Sequence, residues 1–163
     1  MIGRKNKPLV RRASARQRLA LGSGQATLSE QRADPISTTL GRISLSPFRE
    51  GSHGFKILSR HPADAVVLTT TIYPGGSTGW HSHPGPAFIV VIRGTLTVYD
   101  GNDPTGTPHR YGPGSGFLDP GFGHVHIARN QGTTPVTVVQ TCLNVPPGGS
   151  PRIDEPAPGN CPF

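Results

Sequence analysis

Four histidines form the one pattern in this sequence whose residue types and spacing point to chemistry: His81 and His83, then His124 and His126. Residues two apart in an extended chain point to the same face, so each pair projects two imidazoles side by side. The first pair lies in PGGSTGWHSHPGPAFIVVIRG (74–94), framed by Gly75 and Gly94, and the second in GSGFLDPGFGHVHIARN (114–130). One His-x-His says little by itself. Two of them, each in a β-rich segment, would meet at one ion if their strands faced each other across a small barrel. Neutral imidazole nitrogens at about 2.0–2.1 Å suit Zn, Fe, Ni, Cu or Mn.

The surrounding chain supplies strands to hold them. Ala65–Tyr73 reads as a strand closed by Pro74-Gly75-Gly76, and Gly79–His83 as a short extended piece cut off by Pro84-Gly85-Pro86. Ala87–Ile92 is a strand, with Arg93-Gly94 as a tight hairpin into Thr95–Tyr99. Phe117–Asp119, Val125–Arg129 and Val136–Val145 are further strands, while 38–58 offers one or two edge strands. Short strands at intervals of about ten residues, with no helical pattern among them, predict an all-β sandwich or barrel. Residues 146–163 hold six prolines and three glycines, so the tail is extended, either wrapped on the barrel or loose.

With 163 residues, the chain is long enough for one domain with a real core. Its formal charge of +7 belongs entirely to an arm. Seven cations precede the first acid, Glu30, and the other nine Lys/Arg are balanced by nine Asp/Glu (7 − 0, then 9 − 9). The sequence pI near 10.3 therefore describes the first 29 residues of a basic N-terminal extension that runs to residue 37, and not a nucleic-acid-binding barrel. Those 29 residues are Arg-rich and acid-free like an organellar transit peptide, with a short helix at 8–21, and lack the apolar core of a secretory signal. The expected location is the cytoplasm, with export or organelle import left open. No apolar window is long enough to span a membrane. Cys142 and Cys161 permit one disulfide in an oxidising compartment, and no Cys-x-x-Cys, phosphate loop or Ser-His-Asp order occurs.

In its motifs the chain resembles the cupin superfamily. That family's first motif is Gly, five residues, His-x-His, three or four residues, Glu, six residues, Gly, and Gly75, His81, His83 and Gly94 fit it. The second is Gly, five residues, Pro-x-Gly, two residues, His, three residues, Asn. Gly114, Pro120, Gly123, His126 and Asn130 fit it with one extra residue between Pro120 and Gly123. The resemblance covers about residues 60–145. It implies a double-stranded β-helix, or jelly-roll barrel, with metal inside and pairing into homodimers. One departure stands out: the position of the motif's glutamate is Ala87. The implied ligand set shrinks to His81, His83 and His126, three neutral groups that leave the ion its full charge and an open position.

Three-histidine iron centres occur among cupin dioxygenases, so Fe(II) is the favoured ion and dioxygenation of a small anionic substrate the favoured reaction. The alternatives are a hydrolase, isomerase or lyase using metal-bound hydroxide, and a non-catalytic ligand- or metal-binding module. His124 is a fourth ligand, a pocket-lining acid or base, or a surface residue. Tyr73, Trp80, Phe88, Val90 and Phe117 are candidate pocket walls. Gln140 shares a face with Val136, Val138 and Cys142 and so offers a polar group inside the barrel.

Overall fold

The computed structural model describes residues 34–161 and 163 of the chain. Among them are twelve strands: β1 (Ile36–Leu45), β2 (Phe48–Ser52), β3 (Phe55–Ser59), β4 (Ala63–Ile72), β5 (His81–Ser82), β6 (Ala87–Arg93), β7 (Leu96–Asp100), β8 (His109–Tyr111), β9 (Gly116–Asp119), β10 (His126–Arg129), β11 (Val136–Val145) and β12 (Ile153–Asp154). One five-stranded sheet runs β1-β4-β11-β6-β9, a second β12-β5-β10-β7-β8, and β2-β3 form a separate hairpin. Every pairing is antiparallel. This is the all-β jelly roll expected from the sequence.

The core lies between the two sheets. Val66, Leu68 and Ile72 of β4, Ala87, Ile89 and Val91 of β6, and Val136 and Val138 of β11 meet Leu96, Val98 and Ala128 of the second sheet in one buried cluster. Burying each Val, Leu or Ile contributes about 1.5–3 kcal/mol. Strand β6 shows the period of two that makes this possible: Ala87, Ile89 and Val91 face in, while Phe88, Val90 and Ile92 face out.

Several expectations change here. Phe88 and Val90 do not line the histidine cavity, because strand parity puts them on the outer face, 47% and 44% exposed; Phe88 instead lines an outer groove with Leu45, Phe55 and Leu118. Trp80 is buried, but in a second cluster with Tyr99 and Ile127, away from the main core. Tyr73 follows the end of β4 and is largely exposed. Arg93-Gly94 is not a hairpin, since β6 and β7 belong to different sheets. It is a corner between sheets, with Gly94 at φ 73° and no room for a Cβ beside Pro135 O, 2.7 Å away.

At the N-terminal side, β1 already begins at Ile36, inside the 1–37 extension predicted from composition. Residues 1–33, with the predicted helix at 8–21, lie outside the described residues. At the other end the tail wraps the barrel: Ile153 and Asp154 pair with Ser82 and His81. Asp64, only 1% exposed, ties both ends down by accepting from Arg42 Nη1 at 2.5 Å, Ser44 Oγ at 2.8 Å and Gly148 N at 2.8 Å. The Gly148 N–H, the Arg42 guanidinium and the Ser44 hydroxyl hold the Asp64 carboxyl below the usual carboxylate range. Cys142 and Cys161 are free thiols. Burial, with the Asp119 charge, pushes the Cys142 thiol up to about 11.

Candidate metal centre

Strand pairing delivers the histidines to one place. His81 of β5 and His126 of β10 are direct cross-strand partners. Their ring centroids lie 4.3 Å apart, and His83 sits 5.1 Å from His81 and 5.4 Å from His126. One nitrogen from each ring falls in a group within 4.8 Å of one another, and all three residues are buried. The i, i+2 spacing places His83 on the face of His81, and Pro84 ends the strand directly after it.

The other ring nitrogens are taken. His81 Nδ1 donates to Gly79 O at 3.0 Å and His83 Nδ1 to Pro151 O at 2.7 Å. His126 Nδ1 lies 2.8 Å from Asp119 Oδ2 but out of line for a full hydrogen bond, so the ring faces the carboxylate without being tied to it. With each Nδ1 turned to an oxygen, Nε2 is left as the ligating atom on all three rings. Burial, reinforced by the neighbouring His126, pushes His81 down to about 2, and burial also lowers His83. Both rings are therefore neutral at physiological pH, the form that binds metal. The donor set and its tautomers fit a divalent ion.

Asp119 was missed by the sequence reading. Its carboxylate is 1% exposed and accepts from Gly121 N at 2.6 Å, while Oδ2 also meets His124 Nδ1 at 3.0 Å. Burial alone would raise this acid, but its contacts with His126, His124 and Gly121 outweigh that and hold it well below the usual range. Asp119 is the cross-strand partner of Ala87, the residue standing where the motif has glutamate. A carboxylate is thus present beside that position, but it stands behind His126 instead of among the converging nitrogens. The available signal was its place in the second motif, immediately before Pro120.

His124 does not line the histidine cavity. Its Nε2 faces Asp100 Oδ2 at 2.9 Å and its Nδ1 faces Asp119, in a separate pocket with His109 and Tyr111. Burial works against its charge, but the two carboxylates prevail and raise its pKa. Asp119, His124 and His126 also form a group with metal-ligand spacing. Asp119 and, from outside the group, Asp100 already satisfy both His124 nitrogens, so we read the group as a support for His126. Asp119→Asn should keep the fold and weaken metal binding about 10–100-fold, measured by competition with a chromophoric chelator. Unchanged affinity would remove Asp119 from the site.

The cavity in front of the three histidines measures about 410 Å³ and takes lining from both sheets and the C-terminal segment. Phe117 and Gln140 are among its lining residues, Phe117 edge-on to His126 at 6.3 Å and Gln140 donating to Thr70 Oγ1 at 3.1 Å. Leu68, Ile72, Ile89, Leu96 and Val138 make most of the remaining wall.

Residues 68–148, which include both histidine pairs, match the profile of the cupin domain family. This chain belongs to the cupins. A protein with a double-stranded β-helix domain from Klebsiella pneumoniae superposes on it with a TM-score of 0.51 at 20% identity, covering 75% of this chain and 86% of that one. A cupin domain from Bordetella pertussis gives a TM-score of 0.47 at 22% identity, covering 69% and 96%. At such identities the first likeness shows the shared fold alone. A search of curated proteins gave no significant match.

The motif's extra residue is also explained. Phe122 takes a left-handed φ of 54° and Gly123 one of 86°, so the added residue loops outward between Gly121 and His124. Asn130, the motif's last residue, is structural: Nδ2 donates to Ile72 O and Thr134 O, both at 2.8 Å.

Proposed function

We propose that this cupin holds one divalent metal ion through Nε2 of His81, His83 and His126, and that it is a mononuclear metalloenzyme of the dioxygenase type acting on a small anionic substrate. The observation that carries this reading is the set of three buried imidazoles, each with Nδ1 turned to an oxygen, on the wall of a cavity sized for a small molecule. Fe(II) is the favoured ion, with Zn, Ni, Mn and Cu also suited to imidazole; when bound, iron supplies Lewis acidity and one-electron redox chemistry.

The protein's own part is positioning and exclusion of water. Leu68, Ile72, Ile89, Leu96 and Val138 pack the substrate body, and Phe117 limits its approach to His126. Gln140 and Thr70 give the far wall one polar pair to orient it. The alternative with a metal-bound hydroxide asked His124 to shuttle protons into the cavity. Its two occupied nitrogens favour the dioxygenase reading over that one.

Anaerobic loading with Fe(II) followed by nitric oxide tests the proposal. We expect about one iron per chain and the nitrosyl EPR signal of a centre with open positions. Stoichiometric iron without that signal would overturn the oxygenase reading. We also assign the exposed outer row of Phe88, Val90, Ile92 and Leu118 to pairing with a second copy, since contiguous apolar surface marks an interface. Phe88→Asp should then shift sedimentation from dimer to monomer; a wild-type protein monomeric at all concentrations removes this part.

A further inference from the structure

Among the described residues lining the histidine cavity, Arg152 is the only Lys or Arg, and none is Asp or Glu. It comes from the C-terminal segment, outside both histidine motifs. The segment is held firmly: Ile153 and Asp154 pair with β5, and Ser150 Oγ both accepts from Arg152 N at 3.0 Å and donates to Arg152 O at 2.8 Å. The guanidinium crosses the backbone beside the ligand strand. Its Nη2 donates to Thr78 O at 2.7 Å, and its Nε donates to Asp154 Oδ1 at 2.7 Å. Gly79, whose carbonyl holds His81, has φ 69° and leaves space there, with Arg152 Nη2 only 3.5 Å from where its Cβ would be.

Of the five guanidinium N–H donors, two are used in these bonds, and Nη1 has no hydrogen-bond partner among the described residues. Asp154 offsets part of the charge from outside, its side chain 85% exposed. Nη1 thus keeps its donors at a cavity whose described lining is otherwise apolar apart from the histidines, a few hydroxyls and Gln140. A carboxylate can accept from Nη1 together with the remaining Nη2 N–H. A dianion would find no second cation in the described lining, and a neutral polar ligand would add nothing to the partial balance that Asp154 gives the guanidinium.

We propose that Arg152 is the anion anchor of this cavity and that its ligand is a small monocarboxylate with an apolar body, the carboxylate seated between the guanidinium and the histidine cluster. The proposal rests on the metal-site reading only for the ligand's second anchor. The apolar body lies along Leu68, Ile72 and Val138, and Gln140 caps its far end.

The test compares butyrate with butyramide, an uncharged isostere, on Zn(II)-loaded and metal-free protein, followed by two-dimensional NMR. Butyrate should bind at least about 10-fold more tightly than butyramide, and Arg152→Gln should weaken butyrate about 10–100-fold while changing butyramide less than about twofold. Arg152→Lys, which keeps the charge and loses the fork, should fall between. Zinc content, read separately, should be the same in all three proteins. Butyrate binding within about twofold of wild type in folded Arg152→Gln, or no preference for butyrate over butyramide, overturns the proposal. Were zinc not retained, the metal reading would fail, and the metal-free titrations would still decide Arg152. Should Arg152→Gln not fold, Arg152→Lys and the isostere comparison decide it.

Discussion

His126→Ala should fold as a barrel, retain less than about 0.1 equivalent of iron or zinc after reconstitution, and lose the nitrosyl signal. The effect is large because His126 joins the two halves of the site. It is the cross-strand partner of His81, and it supplies the only ligand from the second motif. Losing one of three ligands leaves two imidazoles on one short strand, a set that competes poorly with water and buffer for a divalent ion. The fold should survive, since His126 is a wall of the cavity while the core cluster is made by others, and Asp119 keeps Gly121 and His124 as partners. Melting should shift by only a few degrees, as expected for losing about 1 kcal/mol. Stoichiometric metal in His126→Ala would show that the third ligand is another residue.

The second large effect lies in the backbone beside the site, at a residue that offers no ligand atom. Gly121→Ala should cost about 4 kcal/mol or more, and lower the melting temperature by roughly 10–20 °C. Its Cβ would lie 2.1 Å from Gly85 O and 2.2 Å from Gly85 C, backbone atoms that cannot rotate away. Its φ of 71° adds the penalty of a left-handed side-chain residue. Gly85 follows the first histidine pair and Gly121 precedes the second, so this contact is where the two motif loops touch. Phe122 N also donates to His83 O at 2.9 Å there. Metal affinity should therefore fall together with stability. Gly123→Ala is the control: φ is 86°, but nothing lies within 4 Å of its Cβ, so it should cost only about 1 kcal/mol. Equal melting temperatures for the two variants would refute the close-contact argument.

Much of this could be read from spacing. Apolar runs bounded by Gly/Pro turns located β4, β6, β10 and β11, and the intervals between Gly, His and Asn pointed three histidines to a single site. What spacing could not give was the direction of an exposed apolar residue. Phe88 and Val90 look like pocket walls in sequence, and only pairing with β9 and β11 shows that they point outward. The same limit hid the corner at Gly94, because a hairpin and a sheet-to-sheet crossing have the same turn chemistry. Asp119 and Arg152 were missed for a different reason. Each acts on a histidine or a cavity through a contact across the fold, Asp119 beside Ala87 and Arg152 from a Pro/Gly-rich tail; the place of Asp119 before Pro120 marks its position in the second motif but not the contact it makes.

The C-terminal segment also sets an order of events. His83 is held by Pro151 O, 68 residues further along the chain, and His81 is paired by Asp154. A nascent chain that has reached Val145 carries every histidine and both sheets' central strands, yet His83 still lacks the acceptor that fixes its tautomer. The acceptor that fixes His83 comes from the segment carrying β12, so the three-imidazole arrangement is complete only once that segment has docked on β5.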